Sequence, residues 1–288
     1  MTRALRAATG ITPTADPSQI VRSADGTRIA VFSAGVGPAL VLVHGATADH
    51  TTWRTSAPLL ATSHMTHAID RRGRGASGDA PGYAIEREYE DLVAVVEALA
   101  ADGGGPVDVV GHSYGGRIGL GAALLTPSLR RLVVYEGAPP PTSGRGYQDD
   151  GTLARIEALV AAGDRDEALA TFMSDIVGMP DTDLAAFRAD PIWLRRAAAV
   201  ETTIRELRAE VGPAASLEAL GRLRQPVLQI LGGASSPVFG EATRALDARL
   251  RNGRTVTIDG ARHAAHHTHA PAFTAAIETF LKEPDMAD

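Results

Sequence analysis

The 288-residue sequence contains no cysteine and a single lysine, Lys282. The absence of cysteine excludes disulfide bonds, thiolate nucleophiles and metal sites built on cysteine. Arginine therefore carries almost all of the positive charge, and the formal net charge is -6 with no basic stripe along the chain. Because nucleic-acid binding depends on clustered lysine and arginine, this sequence argues against a nucleic-acid partner.

Long hydrophobic runs are also lacking. No apolar run approaches the ~20 residues that a membrane-spanning helix requires, and residues 1–16 lack the apolar segment of a signal peptide. We interpret residues 1–16 as a flexible tail and expect a cytoplasmic protein that does not bind membranes. A homodimer is left open.

Short apolar runs alternate with segments of helical periodicity along most of the chain. The runs that predict strands are 19–23, 27–32, 39–43, 66–70, 107–110, 131–136, 226–231 and 254–258. Such alternation predicts an α/β protein with a mostly parallel, twisted sheet and helices on both faces. From about Leu153 to Val211 the pattern is helical without a strand signal, so we expect a helical insertion over 141–222 and an α/β core formed by residues 17–140 and 223–288.

The segment from Val107 to Gly116 carries the strongest chemical signal. A strand-like run leads into Gly111-His-Ser-Tyr-Gly115, and a helical pattern follows at once. Glycines two residues before and after Ser113 allow a sharp reversal from strand to helix. The turn would expose the Ser113 hydroxyl at a helix start, where backbone N–H groups stabilise negative charge. We predict that Ser113 is a nucleophile; the alternative is a glycine-rich turn with a bystander serine.

A serine nucleophile needs a base within hydrogen-bond reach, held in place by a third group. His263 is the best candidate because it follows the last predicted strand, in a loop that returns to the sheet edge where Ser113 lies. His266, His267 and His269 lie close by in the sequence and could instead indicate a metal cluster. Because no carboxylate accompanies them at ligand spacing, they favour a polar helix start, and we predict no metal site.

Four motifs, in this order, resemble the α/β-hydrolase superfamily over nearly the whole chain. They are His44-Gly45 after a buried strand, Asp70-Arg-Arg-Gly-Arg-Gly-Ala-Ser77, Gly111-His-Ser-Tyr-Gly115 and Gly260-Ala-Arg-His263. The resemblance implies that Ser113 is the nucleophile and His263 the base, with an oxyanion hole formed by the backbone N–H groups of Ala46 and Tyr114. It also implies that the helical insertion is a cap over the site, and no cofactor is expected.

The triad acid departs from the superfamily pattern. The superfamily usually places an aspartate in the loop after the strand that corresponds to 227–231, but here no carboxylate appears before Glu241. Ser235, in that loop, cannot supply the negative charge that stabilises a histidine cation. Glu136 ends the neighbouring predicted strand, a position that certain haloalkane dehalogenases and fungal-toxin lactonases of the superfamily use. We predict that Glu136 is the acid; the alternative is a solvated residue at the entrance to the insertion.

Large apolar side chains predict the wall of a substrate pocket, although each is individually more typical of a core residue. The candidates are Trp53, Met173, Ile176 and Trp193. A serine nucleophile argues against epoxide hydrolases and haloalkane dehalogenases, which attack with a carboxylate. We expect a serine esterase or lactonase that acts on a small to medium apolar molecule. The alternatives are a cyclase or lyase that uses the same Ser–His pair, and a ligand-binding receptor built on this fold.

Overall fold

A computed structural model describes residues 16–140, 147, 150–209 and 213–284. Most of the predicted tail, residues 1–16, therefore lies outside the described residues, as does the start of the predicted insertion at 141. None of the helices in the described ranges combines the length and the apolar character needed to cross a membrane.

The described residues contain one eight-stranded sheet with the strand order β1-β2-β4-β3-β5-β6-β7-β8. Its strands are β1 Gln19–Arg22, β2 Arg28–Gly35, β3 Ala39–Val43, β4 Met65–Ile69, β5 Val107–His112, β6 Leu129–Tyr135, β7 Val227–Gly232 and β8 Gly253–Ile258. The pairs β1–β2 and β2–β4 are antiparallel, and all remaining pairs are parallel. The predicted fold class is thus confirmed.

Helices cover both faces of the sheet and connect its strands. They are α1 Ala57–Leu60, α2 Ile85–Gly103, α3 Tyr114–Ala123, α4 Asp150–Ala161, α5 Arg165–Thr171, α6 Asp181–Arg188, α7 Ile192–Ala198, α8 Val200–Arg208, α9 Leu217–Leu220, α10 Pro237–Asp247, α11 Ala265–Thr268 and α12 Ala270–Leu281. The α2, α3 and α10 helices pack on one face, and α1 and α12 pack on the other.

Strand β3 shows why solid apolar runs predict strands buried on both faces. Successive side chains of a strand point to opposite faces of its sheet. Val41 and Val43 accordingly contribute to the core beneath α2 and α3, whereas Leu40 and Leu42 contribute to the core beneath α1 and α12. All four are fully buried, as expected of a central strand in a parallel sheet covered by helices.

The chain between β6 and β7 contains helices α4 to α8, which share a hydrophobic core of their own. A buried ion-pair network joins α8 to the residues that follow β4. Glu206 of α8 accepts hydrogen bonds at 2.6 Å from both Arg71 and Arg74, and Arg71 also donates to both carboxylate oxygens of Glu88 at 2.7 Å. The division into core and insertion at 141 and 222 stays a prediction.

Candidate active site

Ser113 stands at the sharp turn between β5 and α3. Its backbone has φ 54° and ψ −123°, a left-handed conformation that non-glycine residues rarely adopt. Glycines make the turn possible because a Cβ on Gly115 would lie 2.3 Å from the carbonyl oxygen of Val43, and one on Gly137 would lie 2.4 Å from that of Ser113. The strand, the turn and the helix are therefore packed too closely for any larger residue.

The loop after β3 brings Ala46 beside Ser113, and His44 holds this loop in place. A Cβ on Gly45 would lie 3.0 Å from the Cβ of Ser113. The Nδ1 atom of His44 donates to the carbonyl of Gly45 at 2.8 Å, and its Nε2 accepts from the backbone N–H of Arg71 at 3.1 Å. Burial, with Arg71 nearby, holds the pKa of His44 well below its usual value, so the ring stays neutral and keeps this acceptor.

Two backbone N–H groups at this turn are available to a ligand. Within the part of the chain that the structure describes, the N–H groups of Ala46 and Tyr114 donate no hydrogen bond. Tyr114 opens α3, where the helix dipole and the free N–H groups favour negative charge. The predicted oxyanion donors thus both lie next to Ser113 without a competing acceptor.

The structure brings Glu136 and His263 together. Glu136 directly follows β6 and its carboxylate is fully buried, so it is not a solvated residue. His263 Nδ1 donates to its Oε2 at 2.5 Å, and the backbone N–H of Gly232 at the end of β7 donates to its Oε1 at 2.7 Å. The ring of Phe239 stacks on the imidazole at 4.4 Å. These contacts fix the orientation of the ring and of the carboxylate.

No direct hydrogen bond joins Ser113 to His263 in this structure. In the described residues neither the Ser113 hydroxyl nor the His263 Nε2 atom has a hydrogen-bond partner, although both residues line the same cavity. Hydrogen bonds that act in catalysis are often long in ligand-free sites and tighten when substrate binds. The free Nε2 is the atom that a serine proton would need to reach.

Tyr135 anchors the loop that carries His263, a role that the sequence reasoning missed. Its hydroxyl donates to the carbonyl of Arg262 and accepts from the N–H of Ala265 at 2.9 Å. Tyr135 and Glu136 are consecutive, so the end of β6 holds both the loop and the ring. A tyrosine immediately before a strand-end carboxylate is the signal in the sequence that could have indicated it.

His112, His266 and His267 line the cavity as neutral rings. His112 Nε2 donates to the carbonyl of His263 at 2.9 Å. Burial holds the pKa values of His112 and His266 well below the usual value, and burial together with Arg54 lowers the pKa of His267 to about 3. His263, His266, His267 and His269 line the same cavity, and the neutral rings of His266 and His267 offer hydrogen bonds to a ligand.

The described residues bring one set of potential metal ligands within 4.8 Å of one another, namely Asp49, His50 and Asp70. Its atoms already have protein partners. Asp70 Oδ1 accepts from both the backbone N–H and Nδ1 of His50 at 2.8 Å, and Asp49 Oδ2 accepts from Arg195 at 2.5 Å. The His50 ring also stacks on Phe32 at 3.6 Å. The set therefore fits a structural role.

A cavity of about 510 Å³ opens above Ser113, between the sheet edge and the helices that follow β6. Its apolar wall comes from Phe172, Met173, Val177, Met179 and Phe187. Its charged wall comes from Arg54, Asp183, Asp190, Arg196 and Arg262. The cavity thus offers both apolar surface and charge beside the serine.

Of the four side chains expected on the pocket wall, only Met173 lines this cavity. Trp53 lies in the core against Phe273. Ile176 and Trp193 lie in the core of the helical segment, where Trp193 Nε1 donates to Asp166 at 2.5 Å. The prediction failed for these three because periodicity in the sequence does not tell which apolar face of a short helix meets the cavity.

Comparison with known proteins gives consistent matches. A model of the alpha/beta hydrolase family matches residues 40–277. The 2-(acetamidomethylene)succinate hydrolase of Mesorhizobium japonicum is 29% identical over 86% of this chain and 89% of its own length. The pimeloyl-[acyl-carrier protein] methyl ester esterase of Xanthomonas campestris pv. campestris is 30% identical over 86% of this chain and 96% of its own. The crystal structure of an alpha/beta hydrolase from Sphaerobacter thermophilus is 33% identical, covers 92% of this chain and 100% of its own, and has a TM-score of 0.79.

Proposed function

Because the chain belongs to the alpha/beta hydrolase family, we propose that it is a serine hydrolase that cleaves an ester or lactone bond through an acyl-enzyme on Ser113. One observation carries the proposal above the others. The Glu136 carboxylate holds His263 Nδ1 at 2.5 Å and leaves Nε2 free on the cavity that also contains the Ser113 hydroxyl. A nucleophile and a base on one cavity, with a buried acid behind the base, fit acyl transfer.

In the proposed mechanism, Ser113 Oγ attacks the substrate carbonyl while His263 Nε2 takes its proton. The carbonyl oxygen becomes an oxyanion that accepts hydrogen bonds from the N–H groups of Ala46 and Tyr114. His263 then protonates the leaving alkoxide oxygen, and an ester of Ser113 remains. Water, deprotonated by His263, attacks this ester and releases the acid and the free serine. The buried Glu136 stabilises the histidine cation in both steps.

The comparisons support hydrolysis over the other chemistries that the sequence left open. Two curated relatives that span most of the chain are named as a hydrolase and a methyl ester esterase. The apolar wall supports a small to medium substrate with an apolar portion, and the helices between β6 and β7 would act as the cap that covers it. A receptor would have no need for the buried carboxylate on His263.

Labelling with a fluorophosphonate probe and hydrolysis of p-nitrophenyl esters of rising chain length test the proposal. The unmodified protein should be labelled and should turn over, whereas Ser113→Ala should lose the label and several orders of magnitude in kcat because the covalent route is gone. Ser235→Ala is the matched control, since Ser235 lines the same cavity.

The outcomes separate the alternatives. Labelling without turnover would favour a cyclase or lyase, and the absence of both would favour a receptor. Ester turnover by Ser113→Ala within tenfold of the unmodified protein would contradict a serine mechanism.

A further inference from the structure

Arg196, on helix α7, reaches the cavity wall without a carboxylate partner. Its guanidinium donates to the hydroxyl of Thr52 at 2.9 Å and to that of Thr47 at 3.3 Å. Across residues 16–140, 147, 150–209 and 213–284, no carboxylate oxygen lies within 4.0 Å of its nitrogens. The charge thus meets two neutral hydroxyls and the ring of Phe187, whose centroid lies 5.5 Å from the guanidinium carbon.

The other charges near this cavity are already paired. Arg54 contacts Asp190 at 3.3 Å, and Arg262 contacts Asp183 at 3.7 Å. Asp49, which attracts Arg196 from a longer distance, pairs with Arg195 at 2.5 Å. Of the three arginines on the charged wall of the cavity, Arg196 is therefore the one that has no carboxylate partner among the described residues.

The charge of Arg196 persists at neutral pH. Burial is the main cause that lowers its pKa to about 10, a value at which the guanidinium is still protonated at pH 7. An enclosed charge without a counter-ion is costly, and neutral hydroxyls repay only part of the lost hydration. An anionic ligand would supply the missing partner, and arginine suits a carboxylate because its planar fork donates two parallel hydrogen bonds.

The position of Arg196 also indicates which part of a ligand it would meet. Thr47, one of its hydroxyl partners, follows Ala46, whose N–H is a proposed oxyanion donor. Thr52, the other partner, contacts His266 at 3.3 Å, whose ring lies 4.4 Å from that of His112 beside Ser113. The guanidinium thus binds the loop of a proposed oxyanion donor, which favours a contact with the acyl part of a ligand.

We propose that the substrate of Ser113 carries a carboxylate on its acyl part and that this carboxylate binds Arg196. The substrate class is accordingly a monoester of a short dicarboxylic acid, or a lactone that carries a free carboxylate. The inference rests on the proposed serine hydrolase and narrows its substrate. In this arrangement the apolar wall contacts the remainder of the molecule.

The test compares two esters that differ only in a terminal group, the mono-4-nitrophenyl ester of glutaric acid and 4-nitrophenyl pentanoate. The unmodified protein should prefer the anionic ester, mainly through a lower KM. In Arg196→Met the ratio of kcat/KM for the anionic ester to that for the neutral ester should fall by about 10- to 100-fold, the range of a hydrogen bond to a charged group. Arg196→Lys should restore part of the preference because it retains the charge.

Arg188→Met is the matched control. Arg188 lies on the neighbouring helix α6, is partly exposed and already contacts Asp166 and Glu167 at 2.6 and 2.8 Å. Its removal should leave the ratio unchanged. A ratio near one in the unmodified protein, or an equal ratio in Arg196→Met, would overturn the carboxylate proposal, because a guanidinium that only ties α7 to the sheet would affect both esters alike.

Binding of glutarate to Ser113→Ala, measured by calorimetry, separates this inference from the proposed function. Binding that Arg196→Met removes in the same background supports the carboxylate subsite even if neither ester is hydrolysed. Glutarate binding that survives Arg196→Met overturns the subsite even if Ser113 proves to be the nucleophile.

Discussion

Three non-glycine residues at the candidate site have left-handed backbone conformations. Their φ angles are 58° for Thr47, 54° for Ser113 and 46° for Glu136. Such conformations cost free energy and persist where the surrounding packing imposes them, which is common at functional sites. Thr47 follows Ala46, a proposed oxyanion donor, and Ser113 and Glu136 are the proposed nucleophile and acid, each directly after a strand. The local strain and the proposed chemistry thus coincide residue by residue.

The substitution Glu136→Gln tests whether Glu136 is the acid partner of His263. The amide keeps the size of the side chain but removes the charge that stabilises the His263 cation. When the acid of a serine-protease triad is replaced by its amide, kcat falls by about four orders of magnitude. We therefore expect Glu136→Gln to lose about 10³- to 10⁴-fold in kcat for p-nitrophenyl esters. Its circular-dichroism spectrum should be unchanged.

Ser235→Ala and Glu241→Gln are the controls for this acid, and both should remain close to the unmodified protein. Loss of activity in Glu241→Gln, with full activity in Glu136→Gln, would assign the acid to the loop after β7. Full activity in both would indicate a Ser–His dyad.

At the scale of elements, helix α8 is held to the sheet portion by charge as well as by apolar contact. Glu206 is almost fully buried between Arg71 and Arg74, and Arg74 also donates to the carbonyl of Ala199 at 3.0 Å. Removal of one member of a buried ion pair leaves the other charge uncompensated. The attachment of the helical segment therefore depends strongly on one carboxylate.

Glu206→Gln should lower the free energy of unfolding by about 3 kcal/mol, the lower end of the range for a broken buried pair, because Glu88 still neutralises Arg71. Urea denaturation measures the change, and limited proteolysis should show faster cleavage within residues 150–209.

The matched control is Glu201→Gln on the same helix, whose exposed pair with Arg165 should contribute less than about 1 kcal/mol. Equal effects of the two substitutions would show that the buried network does not hold the helix.

Across the whole molecule, the sequence predicted the sheet, the contact of Glu136 with His263 and the cavity that His263 shares with Ser113, because these depend on local signals. Strand alternation and the glycines of the turn are local, and parallel strands bring their carboxyl ends to one edge. The roles of Trp53, Trp193 and Arg196 depend on which neighbour each side chain meets across the fold. No single-sequence pattern contains that information, so the pocket wall was largely mispredicted.

Buried neutral histidines should make the whole protein sensitive to mild acid. Burial lowers the pKa of His67 on β4 to about 4, so this ring binds its proton less readily in the folded than in the unfolded chain. The unfolded state therefore gains protons first as the pH falls below about 6.5, and stability declines from there to about pH 4. From pH 6.5 to pH 5 the loss should be roughly 2 kcal/mol for this residue.

Urea denaturation at the two pH values measures the decline, and His67→Gln should make it smaller. His67 lies away from the cavity and contacts Ser33 at 2.8 Å, so the proposed chemistry does not enter the comparison. An unchanged decline in His67→Gln would contradict the assignment.

The position of the proposed acid directly after β6 has a consequence for how the substrate preference of this protein could change in evolution. With Glu136 as the partner of His263, the loop after β7 supplies no charge to the imidazole, and the last residue of β7, Gly232, donates its backbone N–H to the Glu136 carboxylate. Its residues Ala234, Ser235 and Ser236 nevertheless line the cavity. Selection or directed evolution could thus vary these three positions to change substrate preference while the proton-transfer machinery is inherited intact.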